Sequence, residues 1–411
     1  MTARSLFHVV TAASAISSTN RDQSTSVSGA GLTNGGTDYA RHAYRAPAPF
    51  VWELFYARGT TSTGSDRKAS FRLGGSVVAE AAPAGGAGEE AFDDTTTVSV
   101  VEGDAVGMSI DRSSTGSISS LVHRSVLTAP GVGAITPLVA VAAAGATAAQ
   151  NTARAIPLSG TLAFTAAMKE EGGHVARFSG QWRGLYSYVA SCSGAAGQIR
   201  AYKNGVATAM LLSIGIGESG LFHDNANVVD FVAGDVLILS EDGPSGSTMV
   251  CYSVGSSLIS GDRKSELLGF GSRTLSVAAG TPVAVAVGGT DPGGGVTLAD
   301  IQIVEGTTGF AARLSKMRHY VTNTSDQDVT ATLYVNGSPT SLALVFPAST
   351  PVITKFETAD GVYVDVGPND RWAYVFSRAV PHTTGGIGTY RRDLMVEDIT
   401  PPFTPKITFH G

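Results

Sequence analysis

The stretch Tyr202-Lys203-Asn204-Gly205, followed by Val232-Ala233-Gly234-Asp235-Val236, decides how this chain is read. Asn-Gly between strand-like runs signals a two-residue hairpin turn, because both central positions need positive φ. Gly-Asp between Val228-Val229-Asp230-Phe231-Val232 and Val236-Leu237-Ile238-Leu239 signals a second turn. Glycine supplies the left-handed residue there, and aspartate bonds nearby backbone N–H groups. Fainter copies stand on either side: Gly74-Gly75 with Val101-Glu102-Gly103-Asp104, and Asn336-Gly337 with Val366-Gly367-Pro368-Asn369-Asp370. Gly75, Gly205 and Gly337 are 130 and 132 residues apart, and Asp104, Asp235 and Asp370 are 131 and 135 apart. The chain has 411 residues, and 411 divided by three is 137, so three copies fill it. A period of this length is the size of a whole domain.

Other anchors follow the period. Arg45, Arg177 and Arg313 precede the strand-like runs Phe50–Tyr56, Leu185–Val189 and His319–Val321. Leu6–Val10, Leu138–Val141 and Leu275–Val277 fall at similar phase. The copies are therefore expected at 1–132, 133–268 and 269–398, with an extended Pro-rich arm at 399–411. Period-two alternation in Thr97–Val101, Thr330–Val335 and Gly361–Val366 marks half-buried strands. The expected fold is all-β: three tandem jelly-roll sandwiches of about 132 residues each. Ala140–Ala149 is rich in alanine and is expected to form one short helix. Ala81–Gly88 and Gly288–Gly295 read as loops.

Charged residues are only 15% of the chain, and small and β-branched residues take their place. That composition suits short strands and tight turns more than long helices. With a net charge of −6 and no Lys/Arg-rich run, it carries no footprint for nucleic acid. No 18-residue apolar stretch predicts a membrane span. The segment Leu6–Val10 is too short, and interrupted by His8, for a secretion signal, so cytoplasmic synthesis without export is expected. Cys192 and Cys251 are read as buried free thiols, with a bridge left open.

The order strand, Asn-Gly turn, apolar strand, Gly-Asp, apolar strand resembles the C1q/tumour-necrosis-factor type of jelly roll, and the middle copy carries it best. That resemblance implies three jelly rolls around a threefold axis, made either by one chain as a pseudo-trimer or by a homotrimer. The repeats, the charge-poor surface and the Pro-rich end also resemble structural proteins of tailed bacteriophages and gene-transfer particles. The implied function is a virion structural or attachment protein: a tail fibre, tail spike or head spike whose loops hold a host-surface carbohydrate or protein. The alternative is a capsid decoration protein that stabilises the shell, and a remote one is a surface-polysaccharide depolymerase. Other virion proteins are the expected partners, and the virion the expected location.

No motif for nucleophilic, metal-dependent or phosphate-binding catalysis occurs, so no enzyme activity, catalytic residue or cofactor is expected. Trp52, Trp182 and Trp372 fall one per copy and are sugar-stacking candidates, with core packing as the competing reading. Glu89-Glu90 and Asp93-Asp94 form an expected acidic loop with a weak capacity for Ca²⁺. His223-Asp224 is expected in a solvated loop. Gly75, Asp104, Gly205, Asp235, Gly337 and Asp370 are read as scaffold turns.

Overall fold

The computed structural model describes residues 2–11, 23–25, 39–61, 67–82, 87–112, 118–149, 154–156, 158, 160–161, 173–241, 244, 246–275, 277, 281–285, 296–303, 305–378 and 386–401. The fold is all-β and jelly-roll-like, built from six sheets that face one another in three pairs, here the first, second and third sandwiches.

One strand order recurs. In the first sandwich, Thr2–Thr11 lies beside Ile118–Pro130, then Phe50–Thr61, then Ala87–Val100, all antiparallel. In the second, Ile135–Ala149 lies beside Thr248–Ser260, then Gly180–Ser193, then Gly220–Asp224. In the third, Lys264–Leu275 lies beside Ile387–Asp398, then Ala312–Asn323, then Thr350–Glu357. The facing sheets match as well. Ala105–Arg112, Arg67–Leu73 and Ser76–Ala81 correspond to Val236–Glu241, Gly197–Lys203 and Val206–Ile214, and to Trp372–Arg378, Val329–Val335 and Ser338–Phe346.

A bulge recurs in the strand that carries the first two tryptophans. Leu54, Gly184 and Lys316 have φ of 53°, 67° and 49°, and the ladder slips at each. A left-handed residue inside a strand turns its carbonyl away from the ladder and bends the strand. Two of these residues are not glycine, so surrounding contacts must hold the conformation.

Each apolar core runs on into the next sandwich. The first includes Ile135, Val139, Tyr186 and Ile259 of the second. The second includes Leu268 of the third. The third includes Leu6 and Val126 of the first. The three initial strands, Thr2–Thr11, Ile135–Ala149 and Lys264–Leu275, all touch one another. The contacts therefore close into a ring. Its third seam joins the two ends of the described chain: Arg4 N–H donates to Asp398 Oδ2 at 3.3 Å, and Arg263 pairs with the same carboxylate at 2.9 Å.

Four local expectations change. Ala140–Ala149 is strand, because it pairs with Thr248–Ser260 along its length apart from one bulge. Cross-strand pairing outweighs the helix preference of alanine. The third group of strands begins at Lys264, five residues before the expected start at 269, because Lys264 already pairs with Glu397. The acidic residues 89–94 lie within the strand Ala87–Val100, and His223-Asp224 ends the strand Gly220–Asp224. Most of the Pro-rich arm, along with Gly288–Gly295, lies outside the described residues.

Candidate functional site: the turns and the seams

The scaffold turns fall at matching places. Asn204 and Gly205 have φ of 52° and 76°, Asn336 and Gly337 have 49° and 74°, and Gly74 and Gly75 have 58° and 94°. Asp235 accepts from the Val232 N–H at 2.9 Å and from the Asn204 side chain at 2.7 Å. Asn204 Oδ1 in turn accepts from the Val236 N–H at 2.8 Å. The third copy repeats all three bonds: Asp370 accepts from the Gly367 N–H and the Asn336 side chain, and Asn336 Oδ1 accepts from the Arg371 N–H. The Val232 N–H and the Asn204 amide hold the Asp235 carboxyl below the usual carboxylate range. Asp104 keeps the Val101 N–H bond, but glycine stands where the asparagine would be. These residues hold the strands at their turns.

All three tryptophans are fully buried, with no exposed ring face on which a sugar could stack. Trp52 and Trp182 are equivalent and donate to Ser125 at 2.6 Å and Ser256 at 2.9 Å. Trp372 sits in the facing sheet, in the third core. Two of the acidic residues are engaged as well: Glu90 pairs with Arg371 at 2.8 Å, and Asp93 bonds the backbone and hydroxyl of Thr95 and the backbone of Thr96. Asp224 accepts from Leu211 and Asn227. Cys192 and Cys251 are free and buried, and burial pushes the Cys251 thiol up to about 12.

The chemistry concentrates in the seams, where equivalent positions carry different residues. At the seam of the first and second sandwiches, Tyr44 and Ser257 share a hydrogen bond of 2.7 Å. The Tyr186 ring lies over Gly255, where a Cβ would fall 2.4 Å from ring atoms. Pro47 sits against the bulge glycine Gly184. At the seam of the third and first sandwiches, Arg124 donates to Thr307 Oγ1 at 3.1 Å and to the Leu54 carbonyl at 3.3 Å. Arg124 also lies over the Tyr56 ring, and Gly309 leaves room for its guanidinium. Arg58 reaches Glu305 across this seam at 3.5 Å.

The seam of the second and third sandwiches is ionic. Arg177 Nε donates to Glu266 Oε1 at 3.0 Å, and its Nη1 donates to the carbonyl of the bulge residue Lys316. Glu266 Oε2 faces His174 Nε2 at 3.4 Å. Arg391 donates to the Gly173 carbonyl, meets His174 Nδ1 at 2.6 Å and pairs with Asp393 at 2.8 Å. Arg318 donates to the Val175 carbonyl at 3.0 Å and pairs with Glu357. Burial first, and Arg391 next, hold His174 well below the usual histidine range.

His174, Glu266 and Asp393 each bring one potential ligand atom within 4.8 Å of the others. A metal ion does not fit them. Arg391 can only donate, so His174 Nδ1 accepts, and the neutral ring carries its hydrogen on Nε2, the atom a cation would need. Glu266 and Asp393 are already neutralised by Arg177 and Arg391. The cluster is a buried ion-pair clasp.

Apart from Arg177, whose role was not foreseen, the sequence reading passed over these residues. Arg391-Arg392-Asp393 interrupts an otherwise apolar strand end, Leu394-Met395-Val396. Buried charges need partners, so such a triplet points to a partner outside its own strand.

No known protein family and no curated protein matches the chain. Among solved structures it is similar to the insecticidal delta-endotoxin Cry8Ea1 from Bacillus thuringiensis, at 10% identity and a TM-score of 0.17. The match covers 64% of this chain and 53% of that one, and so weak a likeness carries no argument. Among the described residues, no helix is long and apolar enough to cross a membrane.

Proposed function

We propose that the chain is a virion structural protein of the spike or fibre class, whose three jelly-roll domains form a threefold attachment platform from one polypeptide. The observation that supports this most is the cyclic continuity of the cores, in which each sandwich lends apolar residues to its neighbour and the last meets the first. A ring of this kind does the work of a homotrimer, with one difference: its three faces need not be alike. Rigid sandwiches present loops without deforming, and binding to a host-surface carbohydrate or protein would then reside in the loops that differ between copies. Several sites on one rigid body raise avidity without tighter single contacts.

Two measurements test the reading. Purified protein should have the mass of one 42.0 kDa chain in solution. A mass three times larger would point to stacked homotrimers. Antibody against the chain should label purified phage or gene-transfer particles at the tail or at a vertex. Labelling over the whole shell would favour the decoration role, and no labelling of particles would overturn the proposal.

A further inference from the structure

The seam of the second and third sandwiches differs from the other two in kind. His174, from the short strand His174–Val175, sits fully buried between Arg391 on one ring nitrogen and Glu266 near the other. Arg177 follows it in the chain and pairs with the same Glu266. From the third sandwich, Lys264–Leu275 contributes Glu266, and Ile387–Asp398 contributes Arg391 and Asp393, while Arg392 between them turns to the other face beside His319. Ala312–Asn323 contributes Lys316 and Arg318, Thr350–Glu357 contributes Glu357, and Trp372–Arg378 contributes Tyr374. The strand Val236–Glu241, which pairs with His174, offers Leu237 and Val236 at that point.

The arginines Arg177, Arg318 and Arg391 are already matched one for one by the carboxylates Glu266, Glu357 and Asp393, which leaves none over for a further cation. A proton on His174 would place a second cation 2.6 Å from the Arg391 guanidinium, with Arg177 and Arg318 close behind. Its Nδ1 would then be a donor facing a donor. The closed seam can hold the ring only in its neutral form, whereas a parted seam gives the imidazole back to water.

We propose that this seam is an acid-operated catch: proton uptake at His174 parts the second and third sandwiches and opens the ring, while the tyrosine and Arg124 seams hold. The short connection Gly261–Arg263 keeps the parted sandwiches tethered, so reclosing on neutralisation is intramolecular.

For one histidine that titrates near 6.5 when open and stays neutral when closed, the opening constant rises about 25-fold from pH 7 to pH 5. Hydrogen exchange followed by mass spectrometry at both pH values, corrected for intrinsic rates, reads this directly. Peptides covering 173–178 and 264–269 should lose protection at pH 5, while those covering 44–47 and 184–187 at the tyrosine seam, and 122–126 and 305–309 at the Arg124 seam, keep theirs. In His174→Gln the pH-dependent loss should disappear. Uniform loss at all three seams, no loss at any, or an unchanged response in His174→Gln would overturn the proposal. If His174→Gln does not fold, the His174 imidazole of the native chain is followed by NMR. Titration only together with the exchange change supports the catch, and ordinary titration near 6.5 without it refutes it.

Discussion

Arg177 of the second sandwich and Glu266 of the third meet at 3.0 Å with side chains 2% and 0% exposed, 89 residues apart in the chain. Two charges so far from water are costly singly and tolerable only together. Replacing Arg177 by methionine should therefore destabilise the chain by about 3–5 kcal/mol, because Glu266 stays buried with only a neutral histidine beside it. The double variant Arg177→Met, Glu266→Leu should recover much of that loss. Urea denaturation of the four members of the cycle measures the coupling.

The Asn–Asp latches make a graded series. Asp235→Ala removes two direct bonds and leaves the Asn204 side chain held only by the Val236 N–H, and should cost about 1–2 kcal/mol. Asp104→Ala removes one such bond and should cost about half as much. Gly74→Asn should act in the opposite sense. Its φ of 58° suits asparagine, and a Cβ there meets nothing within 4 Å. A gain of about 0.5–1 kcal/mol is expected from the restored latch and the loss of glycine's freedom in the unfolded chain. Midpoints of thermal unfolding for the three variants rank them.

Gly255 is set by the tyrosine seam. A methyl group there would sit 2.4 Å from the Tyr186 ring, and that ring lies in the core shared by two sandwiches. Gly255→Ala should cost about 1–3 kcal/mol through displacement of Tyr186. The loss should be largely suppressed when Tyr186→Leu is combined with it, as a double-variant denaturation series will show.

His123 is buried in the first sandwich, and burial lowers its pKa to about 3 from the usual 6.5. The folded state therefore binds this proton less readily than the unfolded one. Its contribution to stability is complete above about pH 6.5 and falls by about 1.4 kcal/mol per pH unit as pH drops towards 3. His123→Leu should remove that slope. Denaturation midpoints at pH 7 and pH 5 should then lie closer together than in the native chain, and an unchanged gap would contradict the assignment.

Residues that act through their own backbone could be read in advance. Asn204-Gly205 and Asn336-Gly337 are turns wherever they are placed, since positive φ is a local requirement, and they adopt it here. The Asp of each recurring turn bonds an N–H three residues back, also a local matter. Arg45, Arg177 and Arg313 shared a phase but not a role. Arg45 lies in a strand, Arg177 enters the seam cluster, and Arg313 pairs with Asp365 of the neighbouring strand on the partly exposed face of its sheet. The tryptophans misled as binding candidates because an indole is equally suited to a core and to a sugar, and only burial separates the two.

By itself, the sequence determined the β-rich composition, the turn positions and the period at which they return, because φ preference and short-range hydrogen bonding need only neighbouring residues. Tertiary structure alone decided which strands pair, that Ala140–Ala149 is one of them, and that the sandwiches close into a ring. It also decided that the seam residues meet. Arg391 and His174 are 217 positions apart, Arg124 and Thr307 are 183 apart, and Tyr44 and Ser257 are 213 apart. No local pattern links such residues, since each takes its meaning from a charge or a surface that another part of the chain supplies.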